Sequence, residues 1–125
     1  MHEVNIARQI AEKVTSEAHE AKAKSVVAVE VELGDLSLLD PENIAMWLKQ
    51  ALSDGLAQNT TVDVRVVTSE IACSACGFTG EPVLPEYHDH HLPLPAFDCP
   101  RCGSSDVSLV KEERDCILKR IELEL

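Results

Sequence analysis

Two cysteine pairs, Cys73-Ser74-Ala75-Cys76 and Cys99-Pro100-Arg101-Cys102, constrain this chain more than any other feature of its sequence. Each pair is followed by a glycine, Gly77 or Gly103, so each has the form of a tight knuckle whose backbone amides face a thiolate sulfur. Two such knuckles close a tetrahedral site of four sulfurs. Zn(II) imposes no geometry of its own and accepts four thiolates at about 2.3 Å, which makes it the expected occupant. Disulfide pairing is the weaker reading. Residues 1–20 carry Glu3, Arg8, Glu12, Lys13, Glu17 and Glu20 with no continuous apolar run, unlike a secretory signal.

A chain of 125 residues has room for one modest domain and a small appendage. Its hydrophobic content is 45% but its aromatic content only 3%, so the core must be built from valine, leucine, isoleucine and alanine. The balance of 22 acidic against 11 basic residues, a formal charge of -11, argues against nucleic acid and anionic membrane as partners, because both require clustered Lys and Arg. No apolar run approaches the length of a membrane span. The expected setting is soluble and cytoplasmic.

Hydrophobic periodicity places the elements. From Val4 to Ala21, Ile6, Ile10 and Val14 recur every fourth position, flanked by Ala7, Ala11 and Ala18, which predicts an amphipathic helix. Residues 26–33 alternate, with Val27, Val29, Val31 and Leu33 on one face and Glu30 and Glu32 on the other, as in a half-buried strand that Gly34-Asp35 ends. Asp40-Pro41 marks a second helix start, with Ile44, Ala45, Leu48, Ala51 and Leu52 as its buried stripe and Gly55 as its stop. A strand follows over Thr61–Val67, with Val62, Val64 and Val66 turned inward. At the end of the chain Ile117, Ile121, Leu123 and Leu125 are set against Leu118, Arg120, Glu122 and Glu124, which predicts a final strand. Two-stranded sheets are marginal in water, so this strand is expected to return to the earlier two.

The expectation is an α+β fold: a small three-stranded sheet covered by two helices, with an inserted four-cysteine zinc ribbon built on rubredoxin-like knuckles. Its domains would be residues 1–70 plus 111–125 for the helices and sheet, and 71–110 for the cysteine module.

The beginning of the chain offers a different chemistry. A histidine at position 2, in Met1-His2-Glu3, brings the terminal amine, the His2 amide and the imidazole within reach of one metal, with the Glu3 amide or carboxylate as a fourth donor. Amide nitrogens in a plane suit Ni(II) and Cu(II) far better than Zn(II). Such a site gives up protons on binding and weakens as pH falls.

Taken in order, Met1-His2-Glu3-Val4 heading a helix, Leu33-Gly34-Asp35-Leu36-Ser37 with Asp40-Pro41-Glu42, and then C-x-x-C-G and C-P-x-C-G, the chain resembles the hydrogenase nickel-insertion metallochaperone family, HypA/HybF. The resemblance covers essentially the whole chain. It implies a non-enzymatic protein that binds transferable Ni(II) at the N-terminus, with His2 as principal ligand helped by Met1 and Glu3, and structural Zn(II) at Cys73, Cys76, Cys99 and Cys102. It also implies delivery of nickel during maturation of [NiFe] hydrogenase. The implied partners are a nucleotide-hydrolysing maturation protein, a GTPase or ATPase, and the hydrogenase large-subunit precursor. A monomer or weak dimer is expected.

One departure is the spacing: residues 77–98 separate the pairs, longer than is usual in this family. The extra length holds Glu86-Tyr87-His88-Asp89-His90-His91, whose His88, His90 and His91 are candidate accessory nickel ligands. Bounded by Pro82, Pro85, Pro93 and Pro95, the segment reads first as a solvated polar loop. Cys116 reads as a small strand residue, His19 as surface, Trp47 as packing, and Asp40 as a helix cap with a second-sphere role as the alternative. No nucleophile, base and orienting group can be assembled, and no phosphate loop is present. The competing readings of the knuckles alone are a rubredoxin-like iron site for electron transfer and a zinc-ribbon interaction module. Neither accounts for Met1-His2-Glu3.

Overall fold

The structure is a computed structural model and describes residues 2–83 and 98–125. Its elements run α1 (His2–Glu20), β1 (Ser25–Gly34), a 3-10 turn (Asp35–Ser37), α2 (Pro41–Ala51), a second 3-10 turn (Gly55–Ala57), β2 (Thr61–Val67), β3 (Glu70–Cys73), β4 (Thr79–Gly80), β5 (Val107–Lys111) and β6 (Cys116–Glu124). Two three-stranded sheets result, ordered β2-β1-β6 and β4-β3-β5. The chain divides into two compact units, one of residues 1–33, 39–66 and 116–125, the other of residues 34–38 and 67–115. The sequence pattern alone places the boundaries at 70/71 and 110/111. The structure divides at 66/67 and 115/116 and adds residues 34–38 to the second unit.

The first unit is aliphatic, as the composition requires. Ala7, Ile10, Ala11, Val14 and Ala18 form one stripe of α1, buried with Val26, Val29 and Val31 of β1 and Leu48 and Leu52 of α2. A fully buried valine or leucine contributes about 1.5–3 kcal/mol, so this cluster holds the unit together. Alanine at three of the five α1 positions lets the helices approach closely, and α1 and α2 pack on each other. A second cluster, Leu33, Leu39 and Ile44, takes in Ile6 and Cys116 at its margin. Helix α1 ends without glycine: Lys22 turns left-handed at φ 56, and the Ala23 N–H closes on the Ala18 carbonyl at 3.0 Å. Among the described residues no helix is long and apolar enough to cross a membrane.

Strand β6 does return to β1, antiparallel, pairing Ser25 with Glu124 through Leu33 with Cys116. The facing of its side chains differs from the alternation read in the sequence. Arg120 pairs with Glu30 and Leu118 with Val31, so Lys119 is an extra residue, a bulge that shifts the face by one. Ile117, expected inside, is therefore 50% exposed, and Leu118 packs on the core in its place. Leu125 lies beyond the strand and is exposed. A matching irregularity in β1 leaves Val27 as the extra residue between Val26 and Ala28, so Val26 is buried while Val27 faces out. Val66 is exposed as well, whereas Val62 and Val64 pack inward. Gly55 does not stop α2. That helix ends at Ala51, and Gly55, at φ 68, opens the following 3-10 turn.

Candidate metal centre

Strand β3 carries the first knuckle and β5 follows the second. Cys73 ends β3 opposite Val107, and its N–H donates to the Phe78 carbonyl at 2.8 Å while Gly77 N–H donates to the Cys73 carbonyl at 2.9 Å. The second knuckle repeats the pattern: Cys99 N–H to the Ser104 carbonyl and Gly103 N–H to the Cys99 carbonyl, both at 2.8 Å. Gly77 and Gly103 sit at φ 80 and 79, a left-handed turn that glycine enters without steric cost. Ser74 fastens the first knuckle to the approach of β5, its N–H and hydroxyl both donating to the Asp106 carbonyl.

These turns bring the sulfurs of Cys73, Cys76, Cys99 and Cys102 within 4.8 Å of one another. The Sγ atoms of Cys73 and Cys102 lie 3.7 Å apart, and those of Cys76 and Cys99 lie 3.6 Å apart. Arg101 and Cys102 aim their backbone N–H groups at the Cys99 sulfur, each at 3.4 Å. Burial opposes ionisation of Cys99, but those two N–H groups, with the Cys76 and Cys102 thiols, outweigh it and bring the group down to about 6. Cys102 moves the other way, to about 12: a Ser104 backbone bond favours its thiolate, but burial and the three neighbouring thiols prevail. Two adjacent thiolates repel, so ionisation of Cys99 leaves its neighbour Cys102 protonated. The donor set fits a tetrahedral metal: four convergent sulfurs, two of them buried, with backbone amides supporting a thiolate. Because all four positions come from the protein, a metal held here has no open site for chemistry.

At the start of α1 the helix begins at His2, two residues earlier than the apolar periodicity indicates. Glu3 is half-buried, and its Oε2 accepts the backbone N–H of Asp40 at 2.9 Å. Asp40 caps α2 as its position before Pro41 suggests, with Oδ1 accepting the Glu42 N–H at 2.9 Å. Met1, His88, His90 and His91 lie outside the described residues. His19 is exposed, and Trp47 is half-buried against the larger cluster. Cys116 is apart from the four clustered thiols in chemistry as well: burial alone pushes it up to about 11. Sequence reasoning missed two contacts, Glu3 with Asp40 and Asp35 with Ser69. Both join residues more than thirty positions apart, where no local pattern points.

Comparison with known proteins is consistent along the whole chain. Residues 1–123 match the family described as "Hydrogenase/urease nickel incorporation, metallochaperone, hypA". The hydrogenase maturation factor HypA of Methanothermobacter thermautotrophicus is 36% identical over 125 residues, covering 99% of this chain and 98% of that protein. HypA of Methanosarcina mazei is 34% identical over 133 residues, covering 99% and 93%. The solution structure of the nickel metallochaperone HypA from Helicobacter pylori has the same fold, with TM-score 0.56 at 18% identity over 98% of this chain and 97% of that one. A second HypA solution structure gives 0.61 at 18% identity, covering 98% and 96%. Near-complete coverage in both directions leaves no part of the fold outside the match, and the chain belongs to the HypA family of hydrogenase/urease nickel-incorporation proteins, which are metallochaperones and not enzymes.

Proposed function

We propose that this chain carries Ni(II) at its N-terminus and hands it over during maturation of [NiFe] hydrogenase, while Cys73, Cys76, Cys99 and Cys102 hold a structural Zn(II). In this reading His2 is the principal nickel ligand, joined by the Met1 amine and by Glu3. The unit of α1, α2 and the β2-β1-β6 sheet forms the nickel-binding part, and the unit that carries the cysteines forms the zinc-binding part.

The observation that carries the reading is where α1 begins. The first four N–H groups of an α-helix have no partner within the helix, and α1 starts at His2. The His2 and Glu3 amides are therefore free to lose a proton to nickel without breaking a helical hydrogen bond. Planar amide coordination favours nickel over zinc, whereas four thiolates favour zinc, so the two donor sets sort the two metals by chemistry. Zinc supplies cross-linking of the knuckles and no reaction. A carrier must also release its cargo, and a dissociation constant of about micromolar, some 8 kcal/mol, leaves handover feasible. The receiving partners in this proposal are a hydrogenase large-subunit precursor and a nucleotide-hydrolysing maturation protein, since the chain has no phosphate loop of its own.

Metal content measured by mass spectrometry on untagged protein tests this, with and without one residue added before Met1. The expected result is one zinc in both proteins and nickel only in the unextended one. Calorimetry on His2→Ala is expected to show nickel binding lost and zinc retained; normal nickel binding by that variant would sink the assignment. Replacing His88, His90 and His91 together with alanine is expected to leave nickel affinity and stoichiometry unchanged. A red protein with thiolate-to-iron absorption would point to iron at the cysteines instead.

A further inference from the structure

We infer that the Glu3 side chain is a positioning residue for nickel and not one of its ligands: by accepting the Asp40 N–H, it fastens the first turn of α1 to the cap of α2. This deepens the N-terminal nickel reading and rests on it.

The contact completes a cap that α2 does not complete itself. In a capping box, a Glu or Gln at the third helical position reaches back to the N–H of the capping residue. In α2 the capping residue is Asp40 and the third position is Asn43, and the reciprocal bond comes from another helix: Glu3 Oε2 takes the Asp40 N–H at 2.9 Å. Asp40 meanwhile bonds forward to Glu42 N–H. The starts of α1 and α2 are thereby joined at one residue. A turn later Ile6 packs against both apolar clusters, so the beginning of α1 has a polar tether at position 3 and an apolar one at position 6. The Glu3 carboxylate also lies at two helix N-termini, where the backbone dipoles favour negative charge without any metal. Redirecting that oxygen to nickel would forfeit a charge-assisted hydrogen bond and orphan the Asp40 N–H.

The tether bears on nickel through one torsion. A five-membered chelate ring joining the amide nitrogens of residues 2 and 3 contains ψ of residue 2 as the torsion between its donors, so it closes only when ψ is near zero. Helical ψ, about −40°, is far closer to this than the roughly +135° of a strand. Holding residues 2 and 3 in the first turn of α1 keeps the ring close to closure and lowers the ordering cost of binding.

Glu3→Gln keeps an acceptor oxygen and removes the charge, whereas Glu3→Ala removes both. Nickel binding is measured by calorimetry on zinc-loaded protein, together with the visible absorption of the planar nickel complex, and His2→Ala is run in parallel. The expected result is loss of binding in His2→Ala, affinity about tenfold weaker in Glu3→Ala, and affinity within about threefold of the parent in Glu3→Gln with the same spectrum. Amide exchange at Asp40 should be slow in the parent and in Glu3→Gln and fast in Glu3→Ala, a readout that does not depend on nickel. Should Glu3→Gln weaken nickel as much as Glu3→Ala and alter the spectrum, the carboxylate is a ligand and the proposal is overturned. Parent-like affinity in Glu3→Ala overturns it too, leaving the nickel site intact. If Glu3→Ala does not fold, as zinc content and thermal unfolding would show, Glu3→Gln with its Asp40 exchange rate decides alone. Normal nickel binding by His2→Ala would instead bring down the N-terminal reading itself.

Discussion

Ser69 donates to both oxygens of Asp35: its N–H reaches Oδ2 at 2.9 Å and its hydroxyl reaches Oδ1 at 2.6 Å. The same hydroxyl oxygen accepts the Glu113 N–H at 2.9 Å, and the Glu113 carbonyl accepts Leu36 N–H. Ser69 is 2% exposed, the one polar residue among the described residues buried to this degree, and its hydroxyl both donates and accepts. Three separate segments of the second unit meet on this side chain. Ser69→Ala would leave an Asp35 oxygen and the Glu113 N–H without their partner. The expected cost is about 2 kcal/mol, read as a lower urea midpoint in metal-loaded protein. Asp35→Asn, which keeps an acceptor, should cost about half as much. A Ser69→Ala midpoint matching the parent would show that the network is not holding these segments.

Gly34 also comes up against the backbone of Glu113, in the connection between β5 and β6. Its φ of -69 is ordinary, so the reason for glycine here is space and not backbone freedom. A Cβ would lie 2.4 Å from both the carbonyl carbon and oxygen of Glu113 and 2.8 Å from Arg114 N. Backbone cannot move aside as a side chain can, so Gly34→Ala is expected to cost more than about 3 kcal/mol or to prevent folding. Gly55→Ala gives the contrast: nothing lies within 4 Å of its Cβ, but φ is 68, and the left-handed conformation alone should cost about 1 kcal/mol. Equal denaturation midpoints for the two variants would contradict the close approach at Gly34.

The metal is expected to be what keeps the second unit folded. Its strands have only four, two and five residues, and among the described residues its buried aliphatic side chains are Leu36, Leu38 and Ile71. So small an apolar core does not offset the chain entropy of ordering the unit. Treatment with a strong chelator should therefore abolish amide protection in β3 and β5 while leaving it in α1 and in Val29 and Val31 of β1. Protection retained in β3 after the chelator has removed the metal would mean that the knuckles fold without it.

What the sequence made legible follows from the range of the interactions involved. The knuckles were readable because their cause is local: cysteine spacing and a glycine that must turn left-handed are both written within five residues. The α1 stripe, Ile44, Leu48 and Leu52 of α2 and the extent of β2 were readable for the same reason, although Ala51 and Val66, both expected inside, are exposed. The facing of Ile117 and Val27 was not, because a bulge is fixed by the register of the partner strand, and Lys119 looks like any other polar strand residue until β1 is placed beside it. The start of α1 was hidden too, since His2 and Glu3 have no place in an apolar periodicity. Asp35 reads from the sequence as a turn residue and Glu3 as a metal ligand; their hydrogen-bond partners, Ser69 and Asp40, are too distant in sequence for any local pattern to show.

Cys116 provides a pH test that is independent of the metal. It begins β6 opposite Leu33 and packs against Leu33, Leu39 and Ile44, and burial raises it from 9.0 to about 11. Below about pH 9 the folded and unfolded chains both carry the neutral thiol, and the stabilisation associated with it is fully present. Between about pH 9 and 11 the unfolded chain loses this proton while the folded chain keeps it, so the unfolded state binds fewer protons and stability falls as pH rises. Because Cys116 is only half-buried, solvent screening limits the effect to no more than about 1 kcal/mol across that window. The measurement is the difference in unfolding free energy between the parent and Cys116→Ala, followed by urea denaturation from pH 8 to 11. Lysines titrate in both proteins over this range and cancel in the difference, so the parent's advantage should shrink steadily above about pH 9. A difference that stays constant to pH 11 would mean that Cys116 ionises no later in the folded chain than in the unfolded one, and that the apolar cluster around it is open to water.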